Sequence, residues 1–172
     1  MSDKSMQGYE DVTLYTLSDE REQELLDKQV ECSFIWTNKD GHGLGVIMNF
    51  VARDGRIWLT ATSQRARIKA LRRDPRASVV ISSTGTDMGA GKQLTYKGRV
   101  VLHEDQETKD WFYPAMGDVI SPYPAPTLEA AIKHLDTPLR VILEFIPEKA
   151  IKFDGDAISK ASYDGNVPGH GG

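Results

Sequence analysis

Apolar and polar positions alternate through the middle of the chain, and the alternation is broken by glycine- and asparagine-rich turns. Residues 32–37, 45–52, 57–62 and 77–82 are short apolar runs rich in β-branched and aromatic side chains, bounded by turns or polar residues, which predicts strands. Residues 38–43 (Asn-Lys-Asp-Gly-His-Gly) read as a turn, and Arg53-Asp54-Gly55-Arg56 as a tight Asp-Gly hairpin. Residues 93–103 alternate well enough, through Leu94, Tyr96, Val100 and Leu102, for a long strand bent at Gly98. Closing strands are expected over 139–146 and 150–153.

Helical periodicity appears elsewhere. Ser18 is a candidate N-cap, with Asp19, Glu20 and Glu22 in the first turn and Leu25, Leu26 and Val30 on one face. A short basic helix is expected over 64–73, stopped by Asp74-Pro75. Further helices are expected over 105–113 and 127–135, with Pro114, Pro122, Pro124 and Pro126 breaking the chain between them. Neighbouring strands joined by tight turns exclude a doubly wound parallel sheet, which needs crossovers. The expected class is therefore α+β, predominantly antiparallel, a barrel or sandwich with peripheral helices.

With 172 residues the chain suits one domain, here 17–154, flanked by an arm (1–16) and a polar, glycine-rich, flexible tail (155–172). A formal net charge of −4 disfavours a globally basic nucleic-acid binder, so any anion site must be local. Cys32 is the single cysteine and lies in an apolar run, which suits a core thiol and excludes an internal disulfide. The first eleven residues carry neither the apolar stretch of a signal peptide nor a transit-peptide bias. No apolar run approaches the ~20 residues that span a bilayer. A soluble, cytoplasmic protein without a membrane partner is the expectation.

Candidate chemistry concentrates in residues 60–76, Thr-Ala-Thr-Ser-Gln-Arg-Ala-Arg-Ile-Lys-Ala-Leu-Arg-Arg-Asp-Pro-Arg. A strand runs into a hydroxyl-rich turn and a helix starts at once, so first-turn N–H groups and a positive dipole end are available to a phosphate. Thr62 and Ser63 add hydroxyls, and Arg65 and Arg67 can grip phosphate oxygens in pairs. A solvated basic helix without a ligand is the plain alternative, and a nucleic-acid or structural interaction module a weaker one, since no stacking aromatic lies within the patch.

Other motifs fail. The glycine-rich run 85–92 lacks the Gly and Ser/Thr of a P-loop, because Thr86 and Gln93 stand there, so it reads as a mobile hairpin loop or lid. Gly41-His42-Gly43-Leu44-Gly45 opens no helix. His42, His103, His134 and His170 have no ligand spacing, so no metal site is expected. Trp36, Trp58 and Trp111 are most simply core or interface residues; as alternatives, Trp58 shares a strand face with Thr60 and Thr62 and can border a ring, and Trp111, Phe112 and Tyr113 can cover a pocket mouth. No catalytic acid or nucleophile stands out.

The succession of strand, hairpin, Ile57-Trp58-Leu59-Thr60-Ala61-Thr62, Arg65-Ala66-Arg67 and the run LRRDPRASV (71–79) resembles the pyridoxamine 5′-phosphate oxidase-like flavin and deazaflavin oxidoreductases. Gly98 also fits, and the resemblance covers about residues 30 to 103. It implies a split β-barrel homodimer with the cofactor, FMN or F420, at the interface. By the same resemblance Arg65 and Arg67 hold the cofactor phosphate, and Met48, Asn49, Thr60, Ala61, Thr62 and Ser63 line or support the ring. Oxidoreduction of a small molecule by hydride transfer follows, with F420 preferred to FMN. A non-catalytic flavin- or haem-binding protein of the same fold is the alternative. The C-terminal substrate motif of true pyridoxamine phosphate oxidases is not evident, which argues against vitamin B6 chemistry.

Overall fold

A computed structural model describes residues 12–121 and 124–164 of the chain. The first eleven residues of the expected arm, Pro122, and the tail beyond residue 164 with His170 lie outside the described residues. Seven strands and five α-helices follow one another: α1 (Asp19–Lys28), β1 (Glu31–Thr37), β2 (Gly43–Asn49), β3 (Val51–Arg53), β4 (Arg56–Thr62), α2 (Ala66–Arg73), β5 (Arg76–Ser82), β6 (Lys92–His103), α3 (Gln106–Ile120), α4 (Leu128–Leu135), β7 (Arg140–Asp154) and α5 (Gly155–Asp164). The chain gathers into two compact units: residues 30–80 with 96–150, and residues 12–29, 81–95 and 151–164.

The seven strands form one sheet in the order β2-β1-β5-β6-β7-β4-β3. The pairs β1/β2, β1/β5, β3/β4 and β4/β7 are antiparallel. Strands β2 and β3 stand at opposite edges of this order, yet only Phe50 separates them in sequence. Two residues of chain reach at most about 7 Å. The two edges must therefore meet, and the sheet curls on itself. This is the α+β split-barrel class expected from the sequence.

The inner face of the curl is apolar. Ile57, Leu59 and Ala61 of β4 are buried, as are Val141, Leu143 and Phe145 opposite them on β7, with Phe34 and Val79 on β1 and β5. Cys32 belongs to this core, and burial pushes its thiol up to about 12, so it is inert as a nucleophile. At the hairpin, Asp54 and Gly55 take φ of 53° and 69°, the pair of positive values that a two-residue turn between twisted strands requires. Gly98 is demanded by close approach, since a Cβ there would stand 2.0 Å from the Ile146 carbonyl oxygen.

Two expected element boundaries are corrected. The helix expected to end at residue 113 continues through Pro114 to Ile120. Pro114 and Asp110, whose carbonyl it leaves unbonded, are exposed, while Phe112, Tyr113 and Met116 are buried. Apolar packing of that face outweighs the lost hydrogen bond. The two expected closing strands are likewise one strand, β7, running across Pro147.

In the second unit, the Ser18 hydroxyl accepts the Arg21 amide hydrogen (3.3 Å), as an N-cap should. Residues 155–164, expected as tail, form helix α5. The glycine-rich loop, expected to be mobile, is tied down instead. The Ser83 hydroxyl donates to the Gly89 carbonyl, and the Lys92 ammonium donates to the Met88 carbonyl (2.9 Å) and to Asp156 of α5. The Gly155 amide donates to the Gly91 carbonyl at 3.0 Å, where a Cβ on Gly155 would clash. No helix among the described residues is long and apolar enough to cross a membrane.

Candidate cofactor site

Side chains alternate along β4, so Trp58, Thr60 and Thr62 leave the curl on the face opposite the core. Across the β4/β7 ladder they meet Glu144, Ile142 and Arg140. Helices α3 and α4 cover this outer face. Phe112, Tyr113 and Met116 of α3 and Leu135 of α4 bury Ile142 between them. The helices themselves approach closely, for a Cβ on Gly117 would stand 2.6 Å from Leu128 Cδ1.

Between sheet and helices lies a cavity of about 550 Å³, within the size range of organic-ligand pockets. Met48, Asn49, Thr60 and Arg67 supply one wall, and Met116, Ile120, Pro124, Ala125, Pro126, Ala130, His134 and Leu135 the other. One wall thus carries hydrogen-bonding groups and a cation; the other is almost wholly apolar. A flat ring with an anionic tail matches that division. The Thr60 hydroxyl donates to the Val141 carbonyl (2.9 Å), so toward a ligand it can only accept. The Asn49 amide nitrogen donates one hydrogen to the Val30 carbonyl (3.3 Å), which leaves its oxygen to accept and its second N–H to donate.

Arg67 is the chemically telling residue. It is half-buried in the first turn of α2, and its Nε finds no hydrogen-bond partner among the described residues. Burial, and then the charge of Arg65, pull its guanidinium below the ordinary value. An ion that is partly desolvated, beside a like charge and without a counter-ion, is what an anion site looks like before its anion is counted. The helix end adds to this: α2 has no side-chain N-cap bond and no acidic residue in its first turn.

Of the residues singled out from the sequence, Met48, Asn49, Thr60 and Arg67 meet at the cavity. Thr62 shares the face of Thr60, and Arg65 stands exposed as the N-cap of α2. Ser63 is half-buried, and its amide is spent on the Leu139 carbonyl (2.7 Å), as that of Arg65 is on the Thr62 carbonyl (3.0 Å). Those two N–H groups are not available to a phosphate. Ala61 turns its methyl to the opposite face, into the core, so only its backbone can face a ligand.

The aromatic residues follow the core reading rather than the pocket-mouth one. Trp58 packs edge-to-face with Trp111 (4.7 Å between centroids), Arg53 lies over the Trp111 ring at 4.3 Å, and Phe112 and Tyr113 are buried. They form the packing beneath the helices and are not among the cavity's lining residues. His103 pairs with Glu144 at 2.9 Å. His134, which the sequence left unassigned, lines the cavity. Arg140 was missed altogether, because its position depends on the register Thr62↔Arg140, which no local pattern encodes.

The family profile described as Pyridoxamine 5′-phosphate oxidase matches residues 19–152. Among solved structures, a conserved hypothetical protein from Mycobacterium tuberculosis is similar with a TM-score of 0.69 and 18% identity, over 82% of this chain and 87% of that one. An FAD-binding protein from Mesorhizobium loti gives 0.59 and 22% over 78% and 91%, and an F420 reductase 0.57 and 18% over 75% and 94%. Among curated proteins no sequence matches the chain. The match to the profile spans the whole curled sheet and the helices over it, and the chain belongs to the pyridoxamine 5′-phosphate oxidase family.

Proposed function

We propose that the chain is an oxidoreductase that works with a bound flavin or deazaflavin on a small organic molecule, with F420 preferred to FMN. The observation that carries this reading is the half-buried Arg67 guanidinium on the cavity wall, whose Nε has no partner among the described residues. Family membership supports it, as do the solved relatives described as an F420 reductase and an FAD-binding protein. When bound, the cofactor supplies the hydride chemistry. The protein's part is positional: Arg67 with Arg65 holds the phosphate, Asn49 and Thr60 accept hydrogen bonds from the ring edge, and Met48, Met116, Ile120 and Leu135 exclude water. Ala61 contributes backbone, and Thr62 and Ser63 support the strand end.

The reading includes a homodimer with the cofactor at the interface, acting in the cytoplasm. The edge strand β2 supports a second copy, since Leu44 and Ile47, one on each of its faces, are 41% and 65% exposed. Light scattering at micromolar concentration should give twice the chain mass, and a monomer there counts against a shared site. A second reading, a carrier of haem or flavin without turnover, is favoured by His134 on the cavity wall, which offers an imidazole to a metal.

The test is the double substitution Arg65→Ala with Arg67→Ala. It should weaken FMN and F420 binding while the circular dichroism spectrum stays unchanged. Unaltered affinity refutes the phosphate assignment. Visible-band haem binding lost in His134→Ala, with no flavin binding in the native chain, establishes the carrier reading instead.

A further inference from the structure

Among the described residues of the cavity wall, every side chain but one is unable to ionise or unable to part with its proton. Met48, Met116, Ile120 and Leu135 are apolar, and Thr60 spends its hydroxyl hydrogen on the Val141 carbonyl. The Asn49 amide holds its hydrogens throughout the physiological range, and the Arg67 guanidinium stays charged there. His134 is the exception. An imidazole both gives and takes a proton near neutrality.

The fold holds the backbone of His134 and leaves its ring free. His134 stands in the last turn of α4, beside the buried Leu135. Arg140, at the start of β7, donates from Nε to the Leu135 carbonyl (3.0 Å) and from Nη2 to the His134 carbonyl (3.3 Å). One guanidinium thus clamps two of the helix's last carbonyls. The Asp136 amide closes the helix on the Ile132 carbonyl at 2.8 Å. The imidazole itself makes no hydrogen bond or ion pair among the described residues, and His134 is exposed, so water can reload its proton. The charges around it are Lys133 and Asp136 on its own helix and cap, Arg140 at its carbonyl, and Arg67 of α2 on the opposite wall. From α3 the cavity receives only the apolar Met116 and Ile120.

We propose that His134 is the proton donor and acceptor of this site, and that the substrate is an uncharged compound with a polarised carbonyl. The inference deepens the cofactor reading given above and rests on it. In the direction of reduction, a new C–H bond forms with hydride from the reduced flavin or deazaflavin, which is oxidised by two electrons. The π electron pair of the substrate moves onto the carbonyl oxygen. That oxygen takes the proton of the imidazolium as an N–H bond breaks, and the neutral ring regains a proton from water. In the direction of oxidation the same steps run backwards, with the neutral ring as base. An uncharged substrate follows from the walls. Arg67 is committed to the phosphate, and the wall that carries His134 is otherwise apolar.

Two half-reactions of the chain loaded with FMN or F420, followed without oxygen by cofactor absorbance, separate the proton from the hydride. Benzyl dihydronicotinamide reduces the bound cofactor by giving up hydride alone, with no proton leaving or joining the donor. Cyclohexenone reoxidises it and must gain a proton as well. His134→Gln should slow the cyclohexenone step at least ~100-fold and leave the dihydronicotinamide step within about threefold of native. Lys133→Gln removes the neighbouring charge and should leave both steps unchanged. A binding measurement reads the same contact without turnover. Para-nitrophenol, whose phenolate oxygen stands in for the oxygen that takes the proton, should bind the oxidised, loaded native chain at least ~10-fold tighter than His134→Gln. The assignment is overturned if cyclohexenone fails to reoxidise the native chain, if His134→Gln slows both steps alike or neither, or if the two chains bind para-nitrophenol equally. Saturable FMN or F420 binding beside any of those results leaves the cofactor reading standing. Failure of both cofactors to bind overturns the two together.

Discussion

Replacing Arg67 with methionine should weaken cofactor binding without destabilising the protein that lacks it. Methionine keeps an unbranched apolar stem, so the packing over α2 is retained while the guanidinium is removed. In the ligand-bound state the loss is one or two charge-assisted contacts, each worth about 1.5–3 kcal/mol, which is roughly 10- to 150-fold in Kd per contact. In the ligand-free protein the account runs the other way. Arg67 is half-buried beside Arg65, and its Nε has no partner among the described residues. Partial exposure screens much of that cost, so the variant should equal the native chain or exceed it by up to about 1 kcal/mol. On a chain of this length that is a rise in Tm of about 2–4 °C at most. Denaturant unfolding of the ligand-free protein and a fluorescence titration of FMN read the two halves separately. A loss above about 1 kcal/mol in stability, with affinity unchanged, would show that Arg67 is structural and refute the reasoning.

Four further outcomes follow from the same physics. Gly98→Ala places a Cβ 2.0 Å from a backbone oxygen that cannot move alone, so it should cost about 3 kcal/mol or more, read as a fall in the urea midpoint. Gly55→Ala, at φ 69° with open space around it, should cost only about 1 kcal/mol in the same assay. Asp74 is held at about 2 by its hydrogen bonds from Arg76, below its unfolded value. The stabilisation is therefore present above pH ~4 and lost as pH falls toward 2, so the stability gap between native and Asp74→Asn should close across that window. In the second unit, Lys92 is 1% exposed and pairs with Asp156, which is well exposed. Asp156→Asn strands a buried ammonium and should destabilise more than Lys92→Met does, as measured by chemical denaturation.

Local chemistry made part of this structure legible from sequence. Asp54-Gly55, Ser18 and Gly98 each carry a conformational or capping requirement in their own residue type, and each stands where that requirement predicts. Thr60 and Arg67 were legible because a hydroxyl-rich strand end running into a basic helix is a local arrangement. What the pattern hid depends on distant partners. Pro114 looked like a stop, but the buried face of Phe112, Tyr113 and Met116 carries α3 past it. Helix α5 lies in a polar stretch whose order comes from Lys92 and Gly91, more than sixty residues upstream. Arg140 reads as an ordinary strand-edge cation until the β4/β7 register sets it opposite Thr62. The apolar wall was invisible for the same reason, since Met116, Ile120 and Leu135 reach the cavity only through the pairing of α3 with α4.

The central claim is that this chain binds a phosphate-bearing flavin or deazaflavin through the cavity at Thr60 and Arg67. Parallel fluorescence titration of the purified protein with FMN, F420 and riboflavin, the last lacking the phosphate, tests it most directly. The account predicts saturable binding of FMN or F420, with riboflavin at least ~10-fold weaker. Riboflavin binding as tightly as FMN, or no saturation by any of the three, would contradict it.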